Sequence, residues 1–301
     1  MDRIACMKSF VRVVETGSFS AVAREMETTQ PSISKQIAAL ENYLDVQLLT
    51  RSTRHLSLTE AGDRFYEHCQ QVLEVVAAAE ASVGQRQQPT GVVRVSCPVS
   101  LGQLKIVPLL KPFFDRFPDV KVDLIMTDQF IDLVEAGVDL AIRVGHLQDT
   151  NLITRQIGVT RRVTVGTPAY FAQAGEPQIP EDLVDHNCIV YTHLATGNEW
   201  HFQQAQATIK VRVNGRFQAN NSAAIRAAVL AGLGVAVSPI WLFGDAIHCG
   251  DLKVVLQNYQ PVPLPIYAVY RRSRFQPAKV QCLIDFLADE FRHDPWISVS
   301  A

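Results

Sequence analysis

Apolar positions recur at three- and four-residue intervals through the first part of the chain, the spacing of amphipathic helices. Ile4, Met7, Phe10, Val11 and Val14 share one helix face, and Gly17 ends that helix. Phe19, Val22, Ala23 and Met26 line the face of a second, shorter helix, and Glu27, Thr28 and Thr29 break its pattern. Pro31 suits the first turn of a third helix, where its missing N–H is not needed, with Thr29 or Gln30 as the cap. In that helix Ile33, Ile37, Leu40 and Leu44 face inward, while Ser32, Lys35, Ala39 and Asn42 stay on the open face. Two amphipathic helices on a turn are ordinary core architecture. A second helix that starts with small polar side chains and a lysine also suits the major groove of duplex DNA. The context favours the latter. Residues 49–58 follow with alternating hydroxyls plus Arg51 and Arg54, the pattern of a β-ribbon that lies along phosphates or enters the minor groove. Three helices and such a wing make a winged helix-turn-helix.

Residues 59–85 read as one long helix, with Thr59 as its cap and Glu60 favourable in its first turn. Phe65, Cys69, Val72, Val76, Ala79 and Val83 alternate four- and three-residue steps, the seam of a two-stranded coiled coil or the inner face of a helix packed on its own domain. The need for two reading heads on paired half-sites favours dimerisation through this seam. Residues 85–91 form a polar linker punctuated by Pro89 and Gly91.

From Val92 the texture changes to β-branched runs alternating with helices. Strands are expected at 92–96, 120–126, 138–144, 162–166, 188–191, 209–213, 235–238 and 266–270, and helices at 103–117, 130–136, 222–231 and 278–292. Such alternation predicts an α/β unit with a mostly parallel sheet. About 210 residues is large for one core, so two lobes around a cleft are expected. Ligands of open α/β sheets sit outside the C-terminal strand ends. Those ends place Val99, Ser100 and Leu101, then Thr127, then Gly145 at the cleft, with Ser100 beside helix N-terminal amides that suit an anion. From the second lobe Asn221 and Ser222 would cap a helix and face the same cleft; each of these residues could equally be a plain cap or turn. Arg143 is either an anion partner or half of a structural ion pair, and His146 reads as a surface loop residue.

Charge changes the picture modestly. Up to Pro89 there are nine Lys and Arg against eleven Asp and Glu, and the whole chain has a net charge of −2. A strongly basic, non-specific DNA binder is disfavoured, so cationic groups must be placed rather than plentiful. The six cysteines show no CxxC pair and no metal-ligand spacing, which suits buried thiols in a reducing cytoplasm; a redox pair formed by folding remains an alternative. G-x-S-x-G, P-loop and HExxH motifs are absent, so no enzyme chemistry and no cofactor is expected beyond a small-molecule effector. The remaining alternative is a two-lobed solute-binding module or enzyme without DNA specificity. Neither a signal peptide nor a run of apolar residues long enough for a membrane is present, so a cytoplasmic chain with no membrane partner is expected.

TTQPSISKQIAALE followed by LLTRSTRHLSLTEAG resembles the N-terminal signature of the LysR-type transcriptional regulators, and LVEAGVDLAIRVG, TPAYF and AAVLAGLGVAVSP resemble their effector domain in the same order. The resemblance implies an all-α winged helix-turn-helix over residues 1–59 (helix-turn-helix about 19–38), a linker helix and hinge over 60–90, and an effector domain resembling periplasmic binding proteins over 91–301. Its first lobe would cover about 91–161 and 265–301 and its second about 162–264. The resemblance places DNA contacts on Gln30, Pro31, Ser32, Ser34 and Lys35 in the recognition helix and on Arg51 and Arg54 in the wing. It further implies a homotetramer built from dimers, a promoter or operator as the double-stranded DNA partner, and RNA polymerase as a further contact.

Overall fold

The computed structural model describes residues 2–51, 56–83, 89–145, 147, 152–194, 196–204, 207–271 and 277–298. The chain divides into two compact units with the boundary between residues 87 and 88.

The first unit contains α1 (Arg3–Thr16), α2 (Phe19–Glu25), α3 (Gln30–Leu44), the hairpin β1 (Leu49–Arg51) and β2 (Leu56–Leu58), and α4 (Glu60–Val83). Its helix starts are capped by side chains that free backbone amides need. Asp2 accepts from Ile4 N and Ala5 N at 3.0 and 3.1 Å, Ser18 from Ala21 N at 3.2 Å, and Thr29 from Ser32 N at 3.4 Å. Gly17, at φ 63°, ends α1 in the left-handed conformation that glycine adopts without strain. Phe10, Val13, Val22, Ile33, Ile37, Leu40 and Leu48 form the core. Glu41 near the end of α3 accepts from Leu48 N and Leu49 N at 2.9 and 3.1 Å, which ties the start of the wing to the third helix.

The second unit runs through β3 (Gly91–Cys97), α5 (Val99–Leu101), a π-turn over Gly102–Ile106, α6 (Val107–Arg116), β4 (Val120–Met126), β5 (Leu140–Val144), β6 (Ile153–Thr160), β7 (Arg162–Gly166) and α7 (Pro168–Ala174). Then come β8 (Val190–Tyr191), β9 (Glu199–Gln204), β10 (Ala207–Arg212), β11 (Gln218–Ala219), α8 (Ser222–Leu230) and β12 (Ala236–Pro239). The chain closes with α9 (Gly244–His248), β13 (Lys253–Val255), β14 (Gln260–Pro261), β15 (Leu264–Tyr270), α10 (Ala278–His293) and β16 (Ile297–Ser298).

Lobe I is a six-stranded sheet in the order β16-β6-β15-β5-β3-β4. Phe113 of α6 and Phe286 of α10 meet at 5.2 Å between ring centroids in the adjoining core. Lobe II carries the sheets β12-β7-β13, β11-β8 and β10-β9-β14. The chain crosses between lobes after β6 and returns before β15, and Arg162 Nε donates to Val262 O at 2.6 Å between these two crossings. The expected mostly parallel sheet needs correction. In lobe I only the β3–β4 and β3–β5 pairs are parallel, because β15 returns from lobe II and pairs antiparallel with both β5 and β6.

The helix expected at 130–136 is also absent. Asp132 accepts from Val134 N and Glu135 N, and Val138 N donates to Leu133 O past Gly137 at φ 59°, so the segment closes as a turn. A Gly in the left-handed region, five residues after an Asx-type start, leaves no length for helix propagation.

Candidate DNA-reading surface and ligand cleft

Gln30, Pro31 and Lys35 are exposed at the start of α3, and Ser32 and Ser34 are half-buried beside them. Gln30 accepts from Ser20 Oγ at 3.2 Å, which links the two helices of the turn. With Ile33 and Ile37 fully buried, the polar side chains are held on the outward face of a helix that cannot rotate without exposing its core. Arg51 lies in β1, but its side chain falls outside the described residues, as does Arg54 entirely. Wing residues 52–55 also fall outside them.

The expected seam along α4 needs correction at its start. Cys69 is 1% exposed, and Phe65 packs on Phe10 at 5.8 Å, so both belong to the core of their own unit. Tyr66 and Leu73 join them there. Spacing along a helix identifies an apolar face and is blind to whether its partner is the same chain. Val72 remains 39% exposed and Val75 53%, with Val76 half-buried and Ala79 exposed; the side chain of Val83 lies outside the described residues.

At the cleft, the sequence-expected residues separate into two groups. Leu101 is fully buried in the lobe I core and presents nothing to a ligand. Thr127 donates its amide to Cys97 O and accepts from Gln129 N at 3.2 Å, so it serves a turn. Gly145, at φ 104°, donates to Pro265 O at 2.8 Å and is likewise a turn residue. His146 lies outside the described residues.

Val99, Ser100, Asn221 and Ser222 come together, through a residue the sequence reading passed over. Asp128, just past the end of β4, accepts from Val99 N at 3.1 Å on one carboxylate oxygen and from Asn221 Nδ2 at 2.7 Å on the other. Its backbone carbonyl accepts from His193 Nδ1 at 2.9 Å. Asn221 meanwhile caps α8 by accepting from Ala224 N at 3.1 Å. Ser222 bonds to Tyr191, whose hydroxyl is pushed up to about 12 by burial and, secondarily, by Asp128, and therefore stays protonated. The signal available for Asp128 was an acidic residue directly after a strand end already assigned to the cleft.

Just past the end of β3 and near the end of the parallel strand β5, two polar groups are buried and unsatisfied. Ser100 is 2% exposed and its hydroxyl has no hydrogen-bond partner; Arg143 is 7% exposed and its Nη2 has none. No carboxylate pairs with Arg143 among the described residues, so the structural ion pair is not formed. Its guanidinium lies over the ring of exposed Phe130, 5.5 Å from the centroid, and burial lowers its pKa. A buried guanidinium without a counter-charge is costly unless something anionic joins it.

Cys97 at the end of β3 is fully buried, and burial pushes its thiol up to about 12; Cys188 is raised to about 12 and Cys69 to about 11 for the same reason. Thiols held protonated are poor nucleophiles and poor redox sensors. Among the described residues no group of His, Cys, Asp and Glu could hold a metal ion, and no helix is long and apolar enough to cross a membrane.

A winged helix-turn-helix continued by a long helix into a two-lobed α/β unit defines a class of DNA-binding regulator with a built-in ligand domain. Residues 4–63 match the bacterial regulatory helix-turn-helix protein, lysR family, and residues 86–292 match the LysR substrate binding domain. The chain belongs to the LysR family of transcriptional regulators, which are not enzymes. It is 34% identical over 293 residues to the HTH-type transcriptional activator AaeR of Escherichia coli strain K12, covering 97% of this chain and 94% of that protein. Among solved structures it is similar to CrgA of Neisseria meningitidis, with a TM-score of 0.61 and 31% identity over 95% of this chain and 98% of that one. The full-length virulence activator AphB of Vibrio cholerae matches with a TM-score of 0.58 and 31% identity, over 95% and 98% of the two chains.

Proposed function

We propose that this regulator reads its operator through Gln30, Pro31, Ser32, Ser34 and Lys35 at the start of α3, with Arg51 and Arg54 on flanking phosphates. Dimers form along Val72, Val76, Ala79 and Val83 of α4 and pair into a homotetramer, and a small anionic metabolite binds between the lobes of the second unit. The single observation that carries the ligand reading is the pair of buried, partnerless groups, Arg143 Nη2 and Ser100 Oγ. A carboxylate supplies both a counter-charge and an acceptor there, with charge-assisted hydrogen bonds worth about 1.5–3 kcal/mol each. Ligand binding then biases the relative orientation of the lobes, which changes the spacing of the paired DNA heads and any contact with RNA polymerase. The buried, protonated thiols weigh against a redox trigger, and the near-neutral first unit weighs against non-specific DNA coating.

A thermal-shift screen of the full-length protein with small aliphatic and aromatic acids tests the ligand reading, because a compound bound only to the folded state raises its melting temperature. Failure of every anion together with a shift from neutral or cationic compounds overturns it. Lys35→Ala is expected to weaken operator binding roughly 10- to 100-fold in a gel shift while the melting temperature stays put. A large fall in stability with operator affinity retained would assign Lys35 to the scaffold instead. Ser100→Ala should leave operator binding near normal and weaken effector binding by about 5- to 10-fold, the loss of one hydrogen bond. An unaltered effector dose response would remove Ser100 from the site.

A further inference from the structure

Two helix starts, one from each lobe, converge on a single carboxylate that belongs to the chain itself. The helical run that opens at Val99 donates its first amide to Asp128 Oδ1, and the cap of α8 donates Asn221 Nδ2 to Asp128 Oδ2. Helix N-termini favour negative charge because their amides are unpaired and their dipoles point the positive end outward. Asp128 therefore sits where a bound anion would sit, and it spans the lobes in doing so, assisted by His193 on its carbonyl oxygen. Ser100 follows directly on the Val99 amide that Asp128 holds, and Arg143 acts on the same Cys97 thiol as Asp128; the Ser100 hydroxyl and Arg143 Nη2 remain without partners, so the seat is filled only in part. Cys97, at the end of the intervening strand, feels the charges of both Arg143 and Asp128.

We propose that Asp128 is an internal surrogate for the effector's carboxylate: it occupies the two helix starts in the empty cleft, latches the lobes together, and is displaced when a carboxylate ligand takes its place. The inference rests on the cleft being the effector site and goes further, by saying what the ligand competes with. A tethered carboxylate has a high effective concentration, so a free acid displaces it only by making contacts that Asp128 does not make. Arg143 and Ser100 are those contacts. Selection follows from the same arrangement. A ligand lacking an anionic group gains nothing from Arg143 and leaves the latch in place, whereas a carboxylate of the right reach releases Asp128 and resets the lobe angle. The regulator thus has two defined cleft states, one closed on its own side chain and one closed on the metabolite, instead of a closed and a floppy one.

Chemical rescue tests this in the full-length protein without knowing the metabolite. Spin labels are placed at exposed Lys121 in lobe I and Gln173 in lobe II, in a background where Cys249 and Cys282 are serine. Labelled chains are diluted into unlabelled ones so that the intrachain distance dominates, and that distance is read by pulsed electron resonance. Asp128→Ala should lengthen or broaden the distance distribution, and added formate, which fits the vacated seat, should restore the wild-type distribution. Asn221→Ser keeps a competent cap on α8 but removes the lobe II donor; it should open the lobes in the same way and be insensitive to formate. If Asp128→Ala folds poorly, Asp128→Ser replaces it in the same formate test. An unchanged distribution in the variants overturns the latch. In the Asp128 variant, opening that formate cannot reverse also overturns the surrogate-anion role and leaves Asp128 as an ordinary inter-lobe hydrogen-bond partner. The effector reading fails separately, through Arg143 and Ser100 variants whose ligand response is intact while the latch distances behave as stated.

Discussion

Gly62→Ala is expected to lower the melting temperature of the DNA-reading unit steeply while the ligand unit still melts as in the wild type. A Cβ at Gly62 would lie 2.0 Å from the carbonyl oxygen of Leu48 and 2.9 Å from its carbon. Both are backbone atoms, so no side-chain rotation relieves the clash. That same carbonyl accepts from Thr59 N at 3.0 Å, and Gly62 N donates to Thr59 Oγ1 at 2.9 Å. The first turn of α4, the cap residue and the entry to the wing are therefore interlocked at one point, and pushing them apart breaks several bonds at once. Overpacking against immovable backbone costs about 3 kcal/mol or more, a large share of the stability of a unit this size. Scanning calorimetry should show the first-unit transition lowered by roughly 10 °C or more, with operator binding lost in parallel. A transition within about 2 °C of wild type would show that the interlock is looser than the geometry states.

Arg143→Met has the opposite signature. The guanidinium is almost entirely buried, forms no ion pair among the described residues, and burial already lowers its pKa. Methionine approximates its length and packs on Phe130 without charge. Replacing an uncompensated buried ion with an apolar side chain is neutral or stabilising by about 1–2 kcal/mol, so the melting temperature of the free protein should hold or rise. The stabilisation conferred by an anionic ligand should vanish, with affinity falling about 100-fold, the loss of charge-assisted hydrogen bonds made only in the complex. A side chain kept for the fold would give the reverse: lower stability and unimpaired binding. Isothermal titration beside thermal melts of the same preparations separates the two outcomes.

The local punctuation of this chain was readable directly. Ser18 and Thr29 sit at the helix starts where hydroxyl caps are expected, Gly17 ends α1 through a positive φ, and Asn221 caps α8; all of these are decided within four or five residues. The strands at Val120–Met126 and Arg162–Gly166 match their expected bounds because β-branched runs ended by turn residues have few alternatives. Length misled where a short apolar stretch could go either way. Residues 130–136 carry helical spacing but close as a turn, and β6, whose first half carries the polar run Thr154, Arg155 and Gln156, escapes a β-branched pattern although it pairs along its length with β15.

What the linear chain determined by itself was the helices of the first unit, most of the strands, the caps, and the face each helix must bury, since those depend on neighbours a few residues away. The pairing of β15 with both β5 and β6, the use of Phe65 and Cys69 within their own unit, and the meeting of Asp128 with Asn221 were decided only on folding. Asp128 and Asn221 are 93 residues apart in the chain, and nothing near either one marks it for the other. Their contact arises because the chain crosses to lobe II and back, bringing one helix start from each lobe to the cleft, where the Val99 amide and the Asn221 side chain meet the same carboxylate.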